Sequence, residues 1–189
     1  MQQSRVIPSP RSFACDLATL CAPTLAGLKP ASLFRYQPAP GQDAAAMAAA
    51  WHAALSPRGV TVRVLRQCPR TGAVLVYVYR PARVARLLAA PHMLDFLAGE
   101  GYTPGTADEL LDQLAERLCC EGDFPHEIGV FLGYPLSDVV GFIENSGRNF
   151  TCCGCWKAYG DPQAAQRHFA QLRKCTAVYL RLFHSGTPI

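Results

Sequence analysis

Two runs decide the fold: Gly59-Val60-Thr61-Val62-Arg63-Val64-Leu65 and Ala73-Val74-Leu75-Val76-Tyr77-Val78-Tyr79. In the first, Val60, Val62 and Val64 alternate with Thr61, Arg63 and Leu65, the period of a strand with one buried face. The second is β-branched and aromatic on both faces, which predicts a central strand covered on both sides. Gln67-Cys68-Pro69-Arg70-Thr71-Gly72 lies between them as a turn. The pair therefore reads as a hairpin over 60–79 with a long, arginine-bearing turn.

Outward from the hairpin the periodicity is helical. Before it, Phe13–Leu28 predicts two short helices meeting near Pro23, residues 37–42 a loop, and Asp43 the cap of an alanine-rich helix over Ala44–Leu55. After it, Pro81 and Pro91 each open a helix. Thr106-Ala107-Asp108-Glu109 is a capping box ahead of Leu110, Leu111, Leu114 and Leu118. Pro125 and Pro135 start two further apolar helices, which end at Gly133 and Asn145. The aromatic end of 149–159 predicts a third strand. Asp161-Pro162 caps a last helix whose buried stripe is Phe169, Leu172, Cys175, Tyr179, Leu182 and Phe183. The expected architecture is α+β: a helix-rich single domain over 13–185. Its small, mainly antiparallel sheet is the hairpin 60–79 plus a strand near 150–159, covered by helices. Residues 1–12 are expected as a flexible arm and 186–189 as a C-terminal tail.

The 189 residues, half apolar and 17% charged, exclude a disordered chain, a coiled coil and a collagen-like repeat. Ala44–Leu55 is too short to span a bilayer, so no membrane is expected. Neither GxGxxG nor GxxxxGK[ST] occurs, so no dinucleotide or P-loop nucleotide is suggested. The net charge of +4 hides a segregation: residues 44–94 hold seven arginines and no acid, whereas residues 95–144 hold eleven acids against Arg117. Either the two surfaces are neighbours that attract each other, or the arginines form a face for an anion such as nucleic acid or a phosphorylated cofactor.

Nine cysteines, an odd number, with no signal-peptide pattern at the N-terminus, predict reduced thiols and a cytoplasmic protein. Most are expected to pack as small hydrophobes. Cys152-Cys153-Gly154-Cys155 is the exception. Its spacing lets two thiolates reach one soft metal from a tight turn. A closed site needs further ligands, for which Cys175, Cys119-Cys120 and His168 are available; zinc or iron is the possible metal, and a redox dithiol is the other reading.

Three more features bear chemistry. In Phe124-Pro125-His126-Glu127, His126 at a helix start is a candidate neutral base or ligand beside Glu127. Cys21, before Pro23, is a candidate nucleophile if His126 reaches it. Arg63, Arg66 and Arg70, interleaved with Tyr77 and Tyr79, suit an anion or single-stranded nucleic acid. Residues 127–142 match helix-turn-helix spacing, but the second helix lacks outward donors before Asn145, so DNA is not expected as a partner.

Several stretches together resemble one family: Cys21-Ala22-Pro23-Thr24-Leu25-Ala26-Gly27-Leu28-Lys29-Pro30, Ala73–Tyr79, Phe124-Pro125-His126-Glu127-Ile128-Gly129-Val130-Phe131-Leu132-Gly133-Tyr134-Pro135 through Ile143, and Cys153-Gly154-Cys155-Trp156-Lys157-Ala158-Tyr159. The resemblance is to a bacterial domain-of-unknown-function family of Clostridia-like anaerobes and covers most of residues 13–183. It implies no activity, cofactor or catalytic residue. This chain carries Cys155 where the family has a tyrosine, which sets the triple cysteine apart from the family pattern.

The expected function is that of a cytosolic accessory protein binding a small molecule, a metal or a protein partner through Cys21, His126, Glu127, Cys153 and Cys175, with Cys152, Cys153, Cys155 and Cys175 as the candidate metal ligands. The alternatives are a thiol enzyme with a Cys21 nucleophile and a His126 base, and an anion-binding module on Arg63, Arg66 and Arg70.

Overall fold

The computed structural model describes residues 12–118 and 124–189. The arm expected over 1–12 lies outside them except for Ser12, whose hydroxyl accepts from Cys15 N and caps the first helix. Two short helices, α1 (Phe13–Leu20) and α2 (Ala22–Leu25), lead into strand β1 (Ala31–Tyr36). Helix α3 (Ala44–Leu55) and the hairpin β2 (Thr61–Gln67) and β3 (Val74–Tyr79) follow. Then come α4 (Pro81–Leu88), α5 (Pro91–Gly99), α6 (Ala107–Arg117), α7 (Ile128–Phe131) and α8 (Leu136–Glu144). The chain closes with β4 (Cys152–Cys153), β5 (Lys157–Ala158) and the long α9 (Pro162–His184). This is the α+β single domain expected.

The sheet has the order β1-β3-β2, antiparallel throughout. Its central strand is covered on both faces, as the composition of β3 requires. Val74, Val76 and Val78 face one core with Phe34, Tyr36, Val62 and residues of α1 and α3. Tyr77 and Tyr79 face a second core built by α4 to α8. The period-2 alternation of β3 thus divides the apolar interior into two layers. Buried Tyr77 ties the layers together: its hydroxyl donates to the Phe131 carbonyl at 2.6 Å and satisfies an orphan acceptor at the end of α7.

Two expectations need correction. The third strand of the main sheet is β1, which pairs residue by residue with β3 from Ala31↔Tyr79 to Tyr36↔Val74. The strand expected near 150–159 instead folds back as a separate two-stranded hairpin, Cys152↔Ala158 and Cys153↔Lys157. The apolar stripe of α9 is buried only at Phe169 and Leu172, and Leu182 is 43% exposed. At the C-terminal tail, Arg58 Nη1 donates to the Ile189 carbonyl at 2.9 Å, and Ile189 packs beside the first core.

The arginine-rich stretch is largely spent on structure. Arg63 pairs with Asp112 of α6, joining the basic hairpin to an acidic helix. Arg80 Nε donates to the Thr24 carbonyl at 2.8 Å, and Arg83 donates to the Gly27 carbonyl. These guanidinium groups cap the end of α2 and fix the loop that leads to Lys29 and β1.

Candidate functional site

The corner between α7 and α8 and the β4–β5 hairpin enclose a half-open cavity of about 390 Å³. Its walls are aromatic: Phe124, Tyr134, Phe142 and Trp156. Its polar contributions are His126, Asp138, Lys157 and the thiols of Cys153 and Cys155, the two cysteines being exposed.

Asp138, in the first turn of α8, builds this wall. Its carboxylate is buried and accepts from Trp156 Nε1 at 2.8 Å, Tyr159 N at 2.8 Å and Gly160 N at 3.2 Å. A buried carboxylate is tolerated where several donors satisfy it, and here those donors all lie on the hairpin side. Trp156 is further held by stacking on Tyr134 at 4.6 Å and by the edge of Phe169 at 4.6 Å. The hairpin fits α9 because residue 154 has no side chain: a Cβ there would stand 2.2 Å from the Phe169 ring. Gly141 of α8 likewise lets Tyr159 lie against the helix, where a Cβ would stand 2.5 Å from its ring.

His126 is exposed and meets Phe142 edge-on at 4.9 Å. The regular helix begins only at Ile128 and is four residues long. The helix start expected at His126 therefore lies two residues further along the chain. Lys157 donates to the Gly147 carbonyl at 2.7 Å while its ammonium lies 5.6 Å from the Phe142 ring centroid.

The remaining predicted residues are elsewhere. Glu127 points into the second core, accepting from Tyr102 Oη at 3.1 Å with Arg117 Nη1 at 3.5 Å; it is a structural anchor. Cys21 is completely buried against the first core, and burial pushes its thiol far above the usual range. It lines neither the cavity of His126 nor the groove beside it. A thiol held protonated in an apolar core is a packing group, so Cys21 and His126 are not assembled as nucleophile and base. Cys152 and Cys175 are half-buried and outside the cavity that Cys153 and Cys155 line. Among the described residues no three His, Cys, Asp or Glu side chains converge to hold a metal. Cys119 and Cys120 lie outside the described residues, and His168 is occupied as an edge contact of Trp156 at 5.5 Å.

Of the three arginines, Arg63 pairs with Asp112, and Arg66 and Arg70 line a cavity of about 310 Å³ together with Arg35 of β1 and Phe124. Sequence reasoning missed Arg35, whose position depends on β1. It also missed Asp138 and the aromatic walls, which in an apolar helix pattern look like core.

Among the described residues no helix is long and apolar enough to cross a membrane. No curated protein and no solved structure matches the chain. A family model described as "Protein of unknown function (DUF3793)" matches residues 17–189, so the chain belongs to that family.

Proposed function

We propose that this chain is a ligand-binding protein whose site is the aromatic cavity under the β4–β5 hairpin, taking a compact, mainly apolar molecule. One observation carries the reading: three Cys/His positions singled out from sequence, His126, Cys153 and Cys155, line one aromatic-walled cavity. Small-molecule sites are of this size and make-up, apolar walls with a few convergent polar groups. His126 supplies a hydrogen bond, and the two thiols supply soft, polarisable contacts.

The test is a titration with the neutral dye Prodan. Saturable, blue-shifted emission that is lost in Phe124→Asp supports the site. Phe124 is 44% exposed, so this variant should fold. Emission that does not saturate, or that is unchanged in the variant, rejects it.

A second reading is anion binding at Arg35, Arg66 and Arg70. It is favoured because the guanidinium groups of Arg35, Arg66 and Arg70 line one cavity. Binding of a short oligothymidylate that weakens with salt and with Arg66→Ala would support it. Salt-independent or absent binding would reject it.

A further inference from the structure

A second cavity lies on the other side of Tyr134. It is a groove of about 520 Å³ between α1–α2 and α9, sharing Leu132, Tyr134 and Cys155 with the hairpin cavity. Its sides are Leu20, Pro23, Leu33, Leu172 and Leu180. Leu20 is 43% exposed.

The serine and threonine hydroxyls along this groove are already satisfied. Thr19 Oγ1 donates to the Cys15 carbonyl at 2.7 Å and Thr176 Oγ1 to the Leu172 carbonyl at 3.2 Å. Ser32 and Thr24 share a hydrogen bond at 2.8 Å. Both threonine hydroxyls are thus turned back onto their own helices, so the walls are effectively apolar.

Lys29 is the exception. It is half-buried, its ammonium lies over the Tyr134 ring at 5.1 Å with the thiols of Cys21 and Cys155 nearby, and among the described residues it has no carboxylate partner. Burial lowers its affinity for a proton. A half-buried ammonium over an aromatic face, with no carboxylate partner among the described residues, is incompletely solvated, and an incoming anion would restore what burial removes. Arg173, exposed on α9, is the other cation on the groove among the described residues, and none of the described lining residues is acidic.

We infer that this groove binds an alkyl carboxylate, its acyl chain along α9 and its carboxylate on Lys29. The charge pattern and the apolar walls select this class. A neutral apolar ligand leaves Lys29 unpaired, and a small anion leaves the leucines open to water. The volume lies within the range of small-molecule sites.

The experiment is calorimetric titration with dodecanoate, below its micellar concentration, against the wild type, Lys29→Met, Lys29→Arg and Phe124→Asp. Dodecan-1-ol is the uncharged comparison. Dodecanoate is expected to bind saturably. Lys29→Met should weaken it about tenfold or more, the loss expected for a charge-assisted contact, while Lys29→Arg retains most of the affinity. Dodecan-1-ol should bind both forms alike. Shortening the chain should weaken binding by up to about fourfold per methylene.

Equal dodecanoate affinity in wild type and Lys29→Met overturns the assignment, as does affinity independent of chain length or the absence of saturable binding. Phe124→Asp should leave dodecanoate binding unchanged; its loss there would move the ligand to the hairpin cavity and equally overturn this site. The two cavities therefore fail or stand separately. The circular dichroism of each variant verifies folding.

Discussion

Asp138 of α8 holds Trp156 of the hairpin turn by a carboxylate–indole hydrogen bond of 2.8 Å, and the same carboxylate accepts two backbone N–H groups beyond β5. With only two residues per strand, β4–β5 has too few ladder bonds to stand alone. Asp138 is the buried polar anchor of its position over the cavity, beside the packing of Trp156 on Tyr134 and Phe169.

Asp138→Ala should therefore leave three donors unsatisfied. We expect a loss of about 3 kcal/mol in urea unfolding, at the upper end for hydrogen bonds to a charged group. Trp156 fluorescence should shift to the red as the hairpin detaches. A variant with native stability and unshifted emission would deny Asp138 this role.

Gly154→Ala should destabilise by about 1–3 kcal/mol, the usual cost of overpacking, because its Cβ meets the Phe169 ring. Phe169→Leu in the same chain should recover part of that loss. The double-mutant cycle reads the coupling directly, and strict additivity would contradict the contact.

Tyr77→Phe removes the donor to the Phe131 carbonyl inside the core. The expected cost is about 1–2 kcal/mol, with an unchanged denaturant slope, since one buried acceptor loses its partner and no surface is exposed. A changed slope would mean that Tyr77 does more than join α7 to the sheet.

Lys29 gives a signed pH prediction. Folding lowers its pKa from the ordinary lysine value of 10.5, so the folded chain binds fewer protons at this site than the unfolded chain between the lowered value and 10.5. Stability contributed through Lys29 must rise with pH across that window and level off above it. The difference in unfolding free energy between wild type and Lys29→Met isolates the effect from that of the other ionisable groups. A difference that falls or stays flat with rising pH would contradict the burial of Lys29.

What was legible in the sequence was local. The hairpin, the Asp43 cap and the Thr106–Glu109 capping box follow from residue period and from side chains that bond their own backbone, and these stand as expected. β1 was not legible, because Leu33-Phe34-Arg35-Tyr36 acquires its alternation only by pairing with β3. The hairpin 152–158 owes its shape to Asp138 and Phe169, which are distant in sequence. His126, Cys153 and Cys155 were found by residue type, whereas the aromatic walls resembled ordinary core. One compositional signal could have found Lys29. The chain has fifteen arginines and three lysines, and two of those lysines, Lys29 and Lys157, border the two cavities that meet at Tyr134.

The central claim is that Cys153 and Cys155 line a site that a ligand fills. The most direct measurement is the rate of iodoacetamide labelling at each cysteine, read by peptide mass spectrometry with and without saturating Prodan. Cys153 and Cys155 should label readily in the free protein and be protected by the dye. Labelling of half-buried Cys68, which lies on the arginine cavity, should be indifferent to the dye, and buried Cys21 should label only on unfolding. Equal labelling of Cys153 and Cys155 with and without bound dye would contradict the account.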